Sequence, residues 1–174
     1  MKKISVLVLV FSMIATTAVN AQKFAHIDSK AIIELMPETK EAKTTIEKEA
    51  KKLEEQLQVM SVEYNNKYNA YIENQNLDPK AEEKWTDAIR ADKESEIMQL
   101  QERIQKFQES AQPSIQQKQA ELYEPILSKL DLAIKKIANE GNYIYVFDKN
   151  SVLYINEKLS TDVTEAVKKE LAIK

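Results

Sequence analysis

Between Thr39 and Gln75, apolar or small residues recur at Ile46, Ala50, Leu53, Leu57, Met60, Tyr64 and Tyr71, and Lys67 stands in the one place the series skips. Glu, Lys and Gln fill most of the other positions. Steps that alternate between three and four keep one stripe of a helix turned toward a partner, so this pattern predicts a long amphipathic helix with a heptad seam. A second stripe follows at Trp85, Ile89, Ile97, Leu100, Ile104, Phe107 and Ala111, looser near Asp92-Lys93 and regular after it.

The joining segment reads Asn74-Gln75-Asn76-Leu77-Asp78-Pro79. Asp78 is a good helix N-cap and Pro79 suits the first helical position, where its missing N–H costs nothing. The chain is therefore expected to reverse here. A tight reversal sets Leu57 against Ile97, Leu53 against Leu100, Ala50 against Ile104, Ile46 against Phe107, Ala42 against Ala111 and Tyr64 against Ile89. Both seams meet in that register, which predicts an antiparallel hairpin over residues 39–119 with its tip near 75–79. A limb of about 37 residues would run roughly 55 Å. Pro37 and Pro113 frame the base, and Pro125 is expected to add a kink before Ile126, Leu127, Leu130, Ile134 and Ile137 resume helical spacing.

The pattern changes at both ends. Lys23 to Asp28 reads as a strand, and Ser29 is placed to cap a short helix from Lys30 to Met36. Gly141, the one glycine of the chain, is expected to end the long helix in the left-handed conformation. Tyr143 to Asp148 reads as a strand, Lys149-Asn150-Ser151 as a turn and Val152 to Ile155 as a second strand. Thr161 to Leu171 closes the chain as a helix with Val163, Val167 and Leu171 on one face.

Residues 22–38 and 120–174 then form a small α/β head into which the hairpin is inserted. Roughly 70 residues with three short strands make a marginal core and leave open strand edges. Pairing between several heads would solve both problems. Phe24, Ile27, Tyr143, Tyr145, Phe147, Leu153 and Ile155 are the candidate oligomerisation residues. The expected fold class is α+β, predominantly helical: a long antiparallel coiled-coil hairpin in a small β-rich oligomerisation head.

The first 21 residues stand apart from this scheme. Met1-Lys2-Lys3 is a basic start, Ile4 to Ala15 is apolar apart from Ser5 and Ser12, and Val19-Asn20-Ala21 supplies the small residues read by signal peptidase. Such a run is short for a membrane span. The expectation is a cleaved signal peptide and a soluble exported protein, most simply periplasmic, that begins near Gln22. No cysteine is present, so neither a lipid-modified N-terminus nor a disulfide framework is expected.

Without Lys2 and Lys3, 23 basic residues remain against 28 acidic, a net charge of −5. That disfavours nucleic-acid binding, which needs clustered positive charge. Membrane contact is likewise unsupported by net charge. Over Thr39 to Gln119 the balance is 13 basic to 16 acidic, a mixed, solvated surface.

Site chemistry is sparse. With one glycine, a phosphate-binding or dinucleotide loop is excluded. With one histidine, His26, neither a HExxH zinc site nor a His pair can form. His26 has no nucleophile elbow to work with and reads as structural. Asp28 and Asp148 are able to approach at strand ends, where capping or turn formation is the simpler role. No catalytic residue, metal or cofactor is expected. Near the tip, Met60, Tyr64, Tyr68, Tyr71, Trp85 and Ile89 form an aromatic and methionine cluster, with Trp85 expected near Tyr68 and Tyr71. It either locks the hairpin or gives adaptable contacts to unlike partners.

The strand and helix in "FAHIDSKAIIELMPE", the charged helical hairpin, "GNYIYVFDKNSVLYI" and the final amphipathic helix together resemble the Skp/OmpH family of periplasmic chaperones, over about residues 22–174. The resemblance implies a homotrimer whose β-rich body carries three helical tentacles around a cavity. In the family, that cavity holds unfolded outer-membrane proteins without ATP. Familiar members are basic, and this chain departs from them in being acidic. The residues alone also allow an exported coiled-coil spacer or adaptor that binds a folded partner.

Overall fold

A computed structural model describes residues 22–173, so the expected signal peptide lies outside the described residues. The chain divides into two compact units: residues 22–35 with 128–173, and Met36–Leu127.

In the second unit, helix α2 (Pro37–Gln75) and helix α3 (Asp87–Gly141, which continues into the first unit) form the expected antiparallel pair. Met36 is extended at ψ 130° and Pro37 takes the first turn, where proline costs least. Of the predicted seam of α2, Ile46, Leu53, Leu57, Met60, Tyr64, Lys67 and Tyr71 are half-buried, whereas Ala50 is exposed beside half-buried Glu49. On α3, Ile97 and Leu100 are buried and Ile104, Phe107 and Ala111 half-buried.

The register differs from the tight one. Lys67 Nζ lies 3.0 Å from Glu96 Oε2, and Arg103 lies 3.7 Å from Glu63. The tight register would set Lys67 level with Thr86, so the limbs are offset by about ten residues, close to three helical turns. The reason is the tip. Asp78 and Pro79 do not start the second limb; they make a local turn, with Lys80 N donating to Asp78 Oδ1 and Ala81 N to Asp78 O. The helix begins only after Thr86, whose carbonyl accepts from Arg90 N and whose hydroxyl accepts from Ile89 N. Residues 76–86 are thus loop.

The seam also runs further than expected at the other end. Ile115, Lys118 and Leu122 are half-buried and Ile126 is buried, so α3 continues through Pro113 and Pro125 without ending. Each proline forfeits one helical hydrogen bond, a cost of about 3 kcal/mol. Packing of the residues on either side offsets it.

The first unit is a three-stranded sheet with short helices. Strand β1 (Lys23–Ile27) lies between β2 (Tyr143–Asp148) and β3 (Ser160–Asp162), and both pairings are parallel. Ala25 and Ile27 are buried, as are Ile32 of α1 (Ser29–Leu35), Leu130 and Ala133 of α3, and Val163 and Val167 beside and within α4 (Thr164–Glu170).

Four local expectations are corrected here. Val152 to Ile155 is not a strand: it is an irregular segment in which Leu153 is fully exposed. The third strand is the polar Ser160–Asp162 instead, so the sheet is parallel and contains no β-hairpin. Helix α1 is capped by Asp28, whose Oδ1 accepts from Ala31 N at 2.9 Å, and Ser29 is its first residue. The left-handed residue after α3 is Asn142, with φ 53°, not Gly141. Gly141 answers a different need: a Cβ there would lie 2.1 Å from the Tyr143 ring.

Candidate functional site

Two surfaces carry the sequence-derived candidates, one in each unit.

At the hairpin tip, Asn74 organises the loop. It is buried; its Nδ2 donates to Glu83 O at 2.8 Å and its Oδ1 accepts from Trp85 N at 3.0 Å. Lys84 Nζ reaches the carbonyls of Gln75 and Leu77, which places a cation at the C-terminus of α2, where the helix dipole favours it. Tyr64 and Tyr68 stack with centroids 5.9 Å apart. Tyr68 and Ile89 are exposed, whereas Met60, Tyr64, Tyr71 and Trp85 are half-buried. Four of the six predicted residues are therefore partly covered by the hairpin itself.

Further along the limbs, an open groove of about 620 Å³ is lined by Lys52, Glu55, Gln56, Val59, Met60, Arg103 and Phe107. Val59 is 67% exposed. It lies outside the heptad seam, so periodicity gave no reason to single it out, and Phe107 read only as a seam residue.

In the head, alternate residues of β1 and β2 face away from the core. Phe24 stacks on Tyr145 at 6.3 Å, and Tyr145 on Phe147 at 5.7 Å. Tyr145 and Phe147 remain exposed. Beside them, a hollow of about 310 Å³ is lined by Phe24, His26, Phe147, Tyr154, Ile155 and Leu159. Of the predicted oligomerisation residues, Phe24, Tyr145, Phe147 and Ile155 come together here. Leu153 is exposed on the adjoining segment. Tyr143 is half-buried over Gly141. Ile27 lies in the chain's own core, 2% exposed, because it falls on the opposite face of β1. Sequence reasoning missed Tyr154 and Leu159, which are also exposed; Tyr154 falls within the run read as a strand, and Leu159 in the stretch after it that has no period to read.

The polar groups of the head are used for structure. His26 Nδ1 lies 2.9 Å from Ser160 Oγ, while its Nε2 is 3.9 Å from Asp162, beyond hydrogen-bond reach. The contact ties β1 to β3. Asp28 and Asp148 do converge, bridged by Asn150 Nδ2, which reaches both. Hydrogen bonds from Lys149 and the Ala31 amide draw the Asp28 pKa down to about 2. Burial pushes Asp148 up, but the Ser29 hydroxyl and Asn150 outweigh it and hold it below its ordinary value. Two carboxylates that both favour the ionised form suit capping better than proton donation. Among the described residues, no group of three His, Cys, Asp or Glu is arranged to hold a metal ion. No helix among them is long and apolar enough to cross a membrane.

Comparison with known proteins gives one consistent result. The family model described as outer membrane protein (OmpH-like) matches residues 23–171. A protein named chaperone protein Skp from Yersinia enterocolitica is 26% identical over 157 residues, 90% of each chain. An Aquifex aeolicus (strain VF5) protein is 30% identical over 151 residues, 85% of each chain. The crystal structure of a putative outer membrane chaperone (OmpH-like) from Caulobacter crescentus CB15 matches with a TM-score of 0.69 at 12% identity, covering 86% of this chain and 83% of that one. That likeness is one of fold: mostly helical, with a small three-stranded sheet.

Proposed function

The chain belongs to the OmpH-like family, and from that premise we propose that it is a periplasmic holdase chaperone. It keeps unfolded outer-membrane β-barrel proteins soluble without nucleotide, and it works as a homotrimer joined through the head. The observation that carries the holding role is the open apolar groove at Val59, Met60 and Phe107, set on an otherwise charged hairpin. An unfolded barrel precursor exposes alternating apolar residues that aggregate unless covered. Shallow grooves repeated on three hairpins would hold it through many weak contacts rather than one deep pocket. The tip residues Tyr68 and Ile89, both exposed, add further contacts.

The self-association rests on the stacked Phe24, Tyr145 and Phe147 face. With Leu153, Tyr154 and Leu159 it presents more apolar surface than a small soluble head ordinarily leaves in water. Strand β2 also stands at the sheet edge with one side unpaired. Cleavage near Ala21 and release into the periplasm belong to the same reading.

The test is light scattering coupled to size-exclusion chromatography on the processed protein, alone and after dilution of a denatured outer-membrane barrel into it. A trimer that carries the barrel at a defined mass, with no nucleotide added, is the expected result. A folded protein that leaves the barrel to aggregate overturns the holdase reading and favours a coiled-coil adaptor. A Tyr145→Ser, Leu153→Ser variant should shift the mass toward the monomer; an unchanged mass removes the head face from the assembly.

A further inference from the structure

Helix α3 carries a pattern that the seam does not explain. Gln101, Gln105, Gln108, Gln112, Gln116 and Gln119 recur in steps of three and four, and all six are exposed. They form one stripe along the flank of the seam. The exposed face of α2 over residues 47–55 is built differently, with Glu47, Lys48, Lys51, Lys52, Glu54 and Glu55, and with ion pairs such as Lys51–Glu55; uncharged Gln58, Asn65 and Asn69 follow only further along it. A stripe without charge on a chain that is 30% charged is a specific choice of chemistry.

We propose that this stripe binds the peptide backbone of an extended, unfolded segment, one barrel strand in length; the inference rests on the holding role proposed above. A carboxamide offers both donors and an acceptor, as a peptide group does, whereas lysine only donates and glutamate only accepts. The match in charge is neutral dipole to neutral dipole, with no preference for client sequence. Gln105 donates to Glu109 at 2.9 Å, within one turn of helix. Among the described residues the other five carboxamides have no hydrogen-bond partner.

Two further features fit this occupant. Pro113 lacks an N–H, so the helix supplies no i+4 donor to the Glu109 carbonyl in the turn that holds Gln112. At one end of the stripe, Gln99, Gln101 and Gln105 line a hollow of about 530 Å³ together with Glu102, which is paired with Lys106, and Met98, a side chain able to adapt to whatever apolar residue accompanies the backbone. The stripe is about 27 Å long at the helical rise, which accommodates about eight residues of extended chain. A membrane-spanning barrel strand has about 9–11.

The test uses a fluorescent ten-residue peptide of alternating apolar and polar residues and its counterpart N-methylated at alternate peptide bonds. Binding of each to the full chain is followed by anisotropy. The methylated peptide should bind about tenfold more weakly, the worth of one or two net hydrogen bonds. Two double variants, Q101A/Q105A and Q108A/Q112A, should each narrow that ratio toward one while keeping wild-type helicity, alanine being the stronger helix former. Equal binding of the two peptides to the wild type overturns the inference, whatever the variants do. So does an undiminished ratio in a folded variant. The same preparation is assayed for holding a denatured barrel, so loss of that activity marks failure of the holdase reading rather than of the stripe alone.

Discussion

Lys67 Nζ and Glu96 Oε2 lie 3.0 Å apart across the two limbs, with Lys93 Nζ 3.1 Å from the other oxygen of the same carboxylate. Lys67 occupies a seam position, so this pair makes a polar layer within a mostly apolar stripe. Apolar seams tolerate displacement by whole turns, whereas a paired charge does not, which is how a single polar layer specifies register in helical pairs. Zero-length carbodiimide coupling should therefore join Lys67 to Glu96, identified by mass spectrometry. Coupling of Lys67 to Glu83 or Asp87 instead would place the limbs in the tight register.

The tip hangs on Asn74. Asn74→Ala removes two hydrogen bonds and leaves the Glu83 carbonyl and the Trp85 amide without their partner, at a cost of about 1–3 kcal/mol. Trp85 is the one tryptophan, so its fluorescence should shift to the red and proteolysis within residues 76–86 should accelerate. An unchanged spectrum would show that the loop is held by something else.

Gly141→Ala tests the close approach of the Tyr143 ring. Alanine gains up to about 1 kcal/mol of helix propensity, but its Cβ must displace a ring that would sit 2.1 Å away. Overpacking of this kind costs about 1–3 kcal/mol, so the variant should be less stable in urea. Adding Tyr143→Ala should return part of the loss, giving a coupling of about 1 kcal/mol in a double-mutant cycle. Purely additive effects would mean that the ring is not the obstacle.

Asp28 gives the head an acid dependence whose sign is fixed. Its pKa is lowered from 3.8 to about 2, first by the Lys149 hydrogen bond and then by the Ala31 amide. A carboxylate depressed by folding stabilises the native state fully above its unfolded pKa, and that contribution fades as pH falls through the folded one. Asn is nearly as good a cap, so Asp28→Asn isolates the charge. The urea midpoints of wild type and variant should differ by a constant amount at neutral pH and converge between about pH 4 and pH 2. A constant gap down to pH 2 would refute the assignment.

The long elements were legible because each repeats its signal: the α2 seam from Ile46 to Tyr71 and the aromatic run from Tyr143 to Asp148 are where the sequence puts them. What repetition cannot carry is register. A seam with steps of three and four looks the same after a shift of about three turns, so Leu57 matched Ile97 on paper while Lys67 chose Glu96 in the fold. Single-residue signals were overridden by tertiary contacts. The Asp78-Pro79 cap lost to the Asn74 clamp, and Ser160–Asp162 became a strand with only Thr161 as a β-forming side chain because His26 and Phe24 offered it a partner. Half of the candidate site was visible as aromatic content. The Val59 groove was not, because exposure outside a seam leaves no periodic trace.

The sheet order has a consequence for timing. Its central strand, β1, comes first in the chain, and its neighbours pair Lys23 with Tyr143 and Phe24 with Ser160. Contacts so distant in sequence close late, after the entropy of the intervening loop has been overcome, whereas neighbouring helices zip up from a short connection. A chain delivered from its N-terminus completes the hairpin while β1 still waits. A chain stopped before Ser160 has lost β3, one of the two neighbours of β1, and the partner of His26. Any surface built on β1 and β2 therefore comes into being only after the whole hairpin has emerged and Tyr143–Asp148 has reached β1.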